Sequence, residues 1–415
     1  MREMKDSGLP WAGDIPQYWN IAKGKHFMAV LERPVRDDDN VITCFRNGEV
    51  TLRSNRREDG FTVATVEAGY QGIEPGDLVV HGMDGFAGAI GISDSRGKGT
   101  PALNVLSCSE NKKYIMYLLR AMAYTEVFMA LSTGIRVRTC DTNWKKLKSL
   151  DYLIPPADEQ QCIADFLDAK CAEIDALVAD IQSQIDTLEQ YKRSVITETV
   201  TKGLNPNAEM KDSGIQWIGD MPAHWNVIRG KYILHYMQKP VREDDGVITC
   251  FRDGEVTLRS NRREDGFTMS DKEIGYQGID VGDLVVHGMD GFAGSIGISD
   301  SRGKASPVLN VLDTDQCKRY IMYYLRSMAY SDVFLALATG IRVRSCDLRW
   351  NKLAELSYPV PPLDEQNAIV KHIDSVLSKA DAVIADKKAQ LATLDEYKKS
   401  LIFEYVTGKK EVPVS

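Results

Sequence analysis

Two copies of the string LRSNRR, at Leu52 and Leu258, hold the side chains in this sequence best suited to act on another molecule. Arg53, Ser54, Asn55, Arg56 and Arg57 recur as Arg259, Ser260, Asn261, Arg262 and Arg263. Arginine and asparagine grip guanine and adenine edges through two hydrogen bonds, while lysine and serine mostly hold phosphates. The segment reads either as a loop that contacts nucleic acid or as a solvated charged loop that Glu58 and Asp59 partly neutralise. Further basic residues recur in the same way: Arg96, Lys98, Arg136 and Arg138 with Arg302, Lys304, Arg342 and Arg344. His81 and His287, three residues before Asp84 and Asp290, complete the candidate DNA contacts.

Catalytic chemistry has no comparable signature. The chain contains no G-x-x-x-x-G-K-[ST] phosphate loop, no G-x-G-x-x-G turn and no G-x-S-x-G elbow, so nucleotide hydrolysis, dinucleotide binding and serine-type acyl transfer lack their usual cradles. His81 with Asp84 is the nearest approach to an acid/base or metal pair, but a metal site needs a third ligand and none is near in sequence. We read the aspartate as stabilising a turn and the histidine as DNA-facing or partly buried. The eight cysteines form no C-x-x-C pair, which points to ordinary buried thiols. The expectation is a non-catalytic chain that binds no metal and no cofactor.

The elements that position these residues come twice. MKDSG, VITCFR, LRSNRREDGFT, GDLVVHGMDGFAG and GIRVR each recur 206 residues later without a gap. From Val41 to Glu110, 54 of 70 positions match their counterparts, whereas from Ile163 to Val200 only 15 of 38 do. The first stretch stays alike either because both copies do the same job or because it was exchanged between them, so the two copies should recognise the same thing. Short β-rich runs broken by glycine and Asn/Asp turns predict a small mixed or antiparallel sheet. A helix is expected over Glu110 to Ser132, stopping before Gly134. The fold class is α+β.

Each copy then runs through a proline pair (LIPPADEQ, PVPPLDEQ) into a long apolar ladder, which predicts helices starting near Asp158 and Asp364. At 1.5 Å per residue each would span about 65 Å. The ladder holds Leu167, Ile174, Ile181, Leu188 and Val195, with Leu177, Val178, Ile185 and Tyr191 beside it; the second holds Ile373, Ala380, Leu394 and Leu401, interrupted by Lys387, with Val376, Val383, Ile384, Leu391 and Tyr397 beside it. We expect the two helices to form an antiparallel coiled coil about a pseudo-twofold axis, separating the two sheet domains. Gln184 and Gln390 would either pair across the seam or lie exposed. The expected domains are 1–157, a spacer helix 158–203, 204–363, a second helix 364–408 and a tail 409–415.

The formal net charge is -8. The helix segments Asp158 to Val200 and Asp364 to Val406 carry -7 and -2, which leaves about +1 for the sheet domains. The acidity therefore belongs to the helices and does not argue against a DNA-binding role for the domains. No stretch approaches the eighteen to twenty apolar residues of a membrane span and the first residues lack a signal-peptide core, so a cytoplasmic location is expected.

In order and duplication, KDSGIQWIGDMPAHWNV, GDLVVHGMDGFAGAIGIS, GIRVR, PPLDEQ before a long helix, YKRSVITETVTKG and YKKSLIFEYVTGK resemble the specificity subunit of type I restriction-modification systems. The resemblance covers essentially the whole chain, twice. It implies two target-recognition domains that each read one half of a bipartite double-stranded DNA site, with paired helices as the spacer. It also implies partners: two methyltransferase subunits, which use S-adenosylmethionine, and two restriction subunits, which use ATP and Mg. The family pattern has unlike domains and an asymmetric target. Here the domains are near copies, so like half-sites, inverted about a non-specific spacer, are expected. A stand-alone DNA-binding regulator and a protein-binding scaffold are the alternatives.

Overall fold

In a computed structural model the structure describes residues 2–56, 68–130, 142–262, 274–336 and 348–413. The chain forms two compact units, one of residues 1–181 with 388–415 and the other of residues 182–387. The fold is α+β. Each unit has the same central sheet of four antiparallel strands, in the order Met28–Val30, Leu103–Cys108, Leu78–His81, Ile90–Ile92 in the first and His235–Tyr236, Leu309–Asp313, Leu284–His287, Ile296–Ile298 in the second.

Side chains alternate between the faces of a strand, and LVVH at Leu78 uses both. Leu78 and Val80 join the main core with the helix Lys112–Tyr124, while Val79 packs with Ile42, Val50 and Ile73 on the other face. All three residues are fully buried, so this run is apolar without alternation. The hairpin Ile42–Cys44 and Val50–Leu52 closes through Asn47-Gly48, with Gly48 at φ 86°. Its tip is anchored by the buried Arg120, which donates to Ile90 O at 2.8 Å and Gly48 O at 2.9 Å; Arg326 does the same for Ile296 and Gly254. A Cβ on Gly48 would fall 1.8 Å from Arg120 Nη2, so the arginine and the glycine require each other.

The helix expected over 110–132 breaks. It ends at Tyr124, Glu126 turns through a left-handed conformation (φ 60°) and a short helix Val127–Ala130 follows; Asp332 (φ 55°) makes the same break in the second copy. The long helices run Ala157–Lys202 and Leu363–Val406. Gln160, 1% exposed, ties the first of them to the sheet domain, accepting from Asn111 N at 3.0 Å and donating to Pro155 O at 2.9 Å. Gln366 repeats the arrangement with Cys317 N and Pro361 O.

In the first unit the start of one long helix meets the end of the other. Phe166 packs on Tyr405 with ring centroids 4.5 Å apart, and Lys398 pairs with Asp175 at 2.6 Å. In the second unit Lys192 pairs with Asp381 at 2.6 Å and Lys387 donates to Gln184. Lys192–Asp381 is the 206-residue counterpart of Lys398–Asp175. Leu167, Ile174 and Ile373 are buried, and Ile181, Leu188 and Leu394 partly so. Of the residues expected beside the ladder, four are corrected: Leu177, Tyr191, Val383 and Tyr397 are 53%, 51%, 45% and 54% exposed. The second row of the first helix that turns inward runs through Val178 and Ile185, both expected beside the ladder, together with Cys171 and Thr199. One residue is 100° of helix turn, which takes Leu177 off the face that Val178 shares with Ile174. Gln184 and Gln390 are both exposed and fall in different units.

Cys44, Cys171 and Cys250 are buried, and burial pushes the Cys44 and Cys250 thiols up to about 12; Cys162 is exposed, unlike the buried thiol expected. Among the described residues no helix is long and apolar enough to cross a membrane.

Candidate nucleic-acid interface

The LRSNRR segment leaves the strand Val50–Leu52 and enters a single 3-10 turn, Arg53–Asn55, and Arg259–Asn261 does so in the second copy. Ser54, Asn55 and Arg56 are exposed there, as are Ser260, Asn261 and Arg262. The turn is held by its own polar groups: Asn55 donates to Thr51 Oγ1 at 2.8 Å and Arg53 Nε donates to Thr43 Oγ1 at 3.4 Å. Asn261 with Thr257 and Arg259 with Thr249 repeat both bonds at 2.8 and 3.3 Å. Arg56 lies over the Phe45 ring at 4.6 Å and pairs with Glu49 at 2.8 Å; Arg262 lies over Phe251 at 4.3 Å and pairs with Asp253 at 2.7 Å. Stacking on an aromatic face fixes the plane of a guanidinium while leaving its edge open to a second partner.

In the second unit these residues line a cleft of about 570 Å³, formed by Thr249, Phe251, Arg252, Arg259, Arg262 and His287 among others. The structure thus gathers the arginine turn and the histidine into one site. His287 Nδ1 accepts from Met289 N at 3.2 Å and Asp290 N at 3.0 Å, and His81 accepts from Met83 N and Asp84 N at 3.2 and 3.1 Å. Burial favours the neutral ring and lowers both histidines below their ordinary value. With Nδ1 accepting, the neutral tautomer carries its proton on Nε2 and offers a donor. Asp84 accepts from Arg46 at 2.8 Å and Asp290 from Arg252 at 3.2 Å, so the aspartates serve the turn and the neighbouring arginine. The cleft offers hydrogen-bond donors and flat cations, and the described residues hold no cluster of three metal-ligating side chains.

Arg96 and Arg302, also expected among the DNA contacts, are bonded to carboxylates within their own domains. Arg96 donates to both oxygens of Asp39 at 2.8 and 2.7 Å and also to Glu74; Arg302 grips Asp245 at 2.9 and 2.7 Å and Asp280 at 2.6 Å. The Arg96 hydrogen bonds hold the Asp39 carboxyl down to about 2. These arginines brace the base of the domain, their donors already committed within it. Lys98 and Lys304 lie part-buried on the strands Gly97–Gly99 and Gly303–Ala305, each bridged to the start of the arginine hairpin at Val41 or Val247. Arg57, Arg136, Arg138, Arg263, Arg342 and Arg344 lie outside the described residues.

Phe45, Arg46 and Arg120, with their copies, belong to this site but were not singled out in the sequence. The repeated VITCFR string carried the first two in plain view. Arg120 gave no signal, since an arginine inside an apolar helical stretch reads as one more surface charge.

The repeated arginine turn and the full-length duplication frame the comparison with known proteins. The MjaX type I restriction enzyme specificity subunit of Methanocaldococcus jannaschii, a provisional assignment, is 24% identical over 444 aligned positions, which cover 96% of this chain and 95% of that protein. The chain resembles type I restriction specificity subunits along its whole length. The StySPI specificity subunit of Salmonella potsdam is 19% identical over 429 positions, 96% of this chain and 90% of the relative. No family model matches. Among solved structures, a chain from work on complex assembly and conformational transition of the type I R-M system superposes with a TM-score of 0.66 at 12% identity, over 95% of this chain and 99% of that one. That likeness of a specificity-subunit-like chain to a solved structure is one of fold.

Proposed function

We propose that this chain is the DNA-reading subunit of a type I restriction-modification system, and that its two domains read like half-sites inverted about a non-specific spacer. The observation that carries the reading is the arginine–histidine site built twice from the same residues. Thr43, Phe45, Arg46, Arg53, Arg56, His81 and Asp84 all recur unchanged 206 positions later. Equal readers call for equal half-sites. The base-reading residues in this proposal are Arg53, Asn55, Arg56 and His81 with Arg259, Asn261, Arg262 and His287. Lys98, Lys304, Arg57, Arg263, Arg136, Arg138, Arg342 and Arg344 supply further DNA contacts. Arg96 and Arg302 are left out because their donors are occupied by internal carboxylates.

The long helices act in this reading as an antiparallel coiled-coil spacer. The pairs Lys398–Asp175 and Lys192–Asp381, each inside one unit, support it. The chain itself performs no catalysis. Two methyltransferase subunits using S-adenosylmethionine and two restriction subunits using ATP and Mg carry the chemistry, and the complex works in the cytoplasm. Sequencing-based detection of methylated adenines in DNA from cells carrying the system tests the half-sites directly. The expected motif has two identical inverted halves, and unlike halves would overturn the proposal.

A further inference from the structure

A second cleft, of about 710 Å³, opens in the first unit between Tyr70, Trp144, Pro34 and Pro101, with Gln71 and Lys145 on its rim. Leu103, which also lines it, is the direct cross-strand partner of His81. Such partners lie about 5 Å apart, so this cleft and the arginine site open at the same end of one sheet.

The two copies treat this place differently. The arginine site differs between copies only at Asn47/Asp253 and Ala89/Ser295, whereas the aromatic cleft differs at Val30/Tyr236, Glu32/Gln238, Arg33/Lys239, Asn143/Arg349 and Lys145/Asn351. In the second unit Tyr236 stacks on Trp350 with ring centroids 5.8 Å apart and planes 29° from parallel. Gln277 there is only 8% exposed, and among the described residues no donor reaches its Oε1. Its counterpart Gln71 is half-buried and faces the cleft. The tyrosine shows what the tryptophan face accepts, a planar ring; in the first unit Gln71 donates its amide N–H to Leu103 O at 3.0 Å and turns an acceptor oxygen to an N–H edge. Lys145, exposed where the second copy has Asn351, adds a partner for an anion.

A planar ring with an N–H edge and an attached anion describes a nucleotide. We infer that the Tyr70–Trp144 cleft takes one nucleotide flanking the half-site read by the first domain, its base stacked on Trp144, and that Tyr236 closes the same cleft in the second. This rests on the DNA-reading role proposed above. The two domains then read the same bases, but only the first depends on the flank.

The test uses the full chain, with its methyltransferase partner, on duplexes carrying the methylated motif with abasic positions at one flank or at both. The wild-type protein tolerates one abasic flank, because it binds with its second domain there, and loses about five-fold or more in affinity when both flanks are abasic, the loss of one stacked base. Tyr236→Val opens the second cleft and makes a single abasic flank costly. Val30→Tyr and Trp144→Ala each remove the flank dependence, and thermal melting checks that both remain folded. Equal binding of intact and doubly abasic duplexes by the wild-type protein overturns the inference while leaving half-site reading intact. Failure to prefer the motif over unrelated DNA removes the reading role and this inference with it.

Discussion

Arginines that look alike in the sequence divide by what holds them. Arg56 and Arg262 rest on phenylalanine rings at the surface, and Arg96 and Arg302 are tied to carboxylates of which Asp39 and Asp245 are almost fully buried. Replacing Arg56 and Arg262 by alanine should weaken specific DNA binding by about 1–3 kcal/mol for each base that is no longer gripped, with unchanged thermal stability. Replacing Arg96 should do the reverse. It strands the Asp39 carboxylate and costs about 1.5–3 kcal/mol of folding stability, read from denaturant unfolding. The histidines add a pH dependence. Their folded-state values lie below the ordinary 6.5 because burial disfavours the charged ring, so the unfolded chain takes up the proton first. Their contribution to stability is whole above 6.5 and is lost as pH falls through the lower folded value. The melting temperature of the wild-type protein should drop in that window, and the His81→Gln, His287→Gln double variant should flatten the drop.

At the scale of elements, the long helices test which stripe is buried. Ile174 and Ile185 are each 5% exposed, while Leu177 and Tyr191 are more than half exposed. Ile174→Ala or Ile185→Ala should each cost about 2–5 kcal/mol, and Leu177→Ala or Tyr191→Ala should stay within about 0.5 kcal/mol, all measured by denaturant unfolding. The pairs Lys398–Asp175 and Lys192–Asp381 join half-buried lysines to exposed aspartates, and each should contribute no more than about 1 kcal/mol. The apolar ladder was readable because it repeats every seven residues. Its companion row was readable only at Val178 and Ile185, because Cys171, Lys192 and Thr199 occupy the rest of it where apolar residues would have marked it.

For the whole molecule, the charge division is the physical basis of a further expectation. The helices carry -9 and the rest of the chain about +1, so DNA attraction comes from local clusters and not from net charge. Affinity should fall steeply with salt, and removing Lys98 with Lys304 should reduce the slope of log affinity against log salt by about one for each phosphate left without its lysine. A filter-binding or anisotropy series across salt concentrations measures this. A flat dependence would favour the scaffold reading, in which the repeats bind other proteins.

The sequence by itself determined the duplication, the α+β class, the presence of the two long helices and the resemblance to specificity subunits. All of these are carried by long identical strings or by periodicity, which survive without knowledge of contacts. Only the tertiary structure decided which arginine faces outward and which is braced, since Arg56 and Arg96 differ in the neighbours that the fold brings to them: Phe45 and Glu49 for one, Asp39 and Glu74 for the other. It also decided that Val30 and Tyr236, one substitution among many between the copies, stand at the mouth of a cleft against Trp144 and Trp350. That pairing joins residues more than a hundred positions apart, and only the folded sheet brings them together.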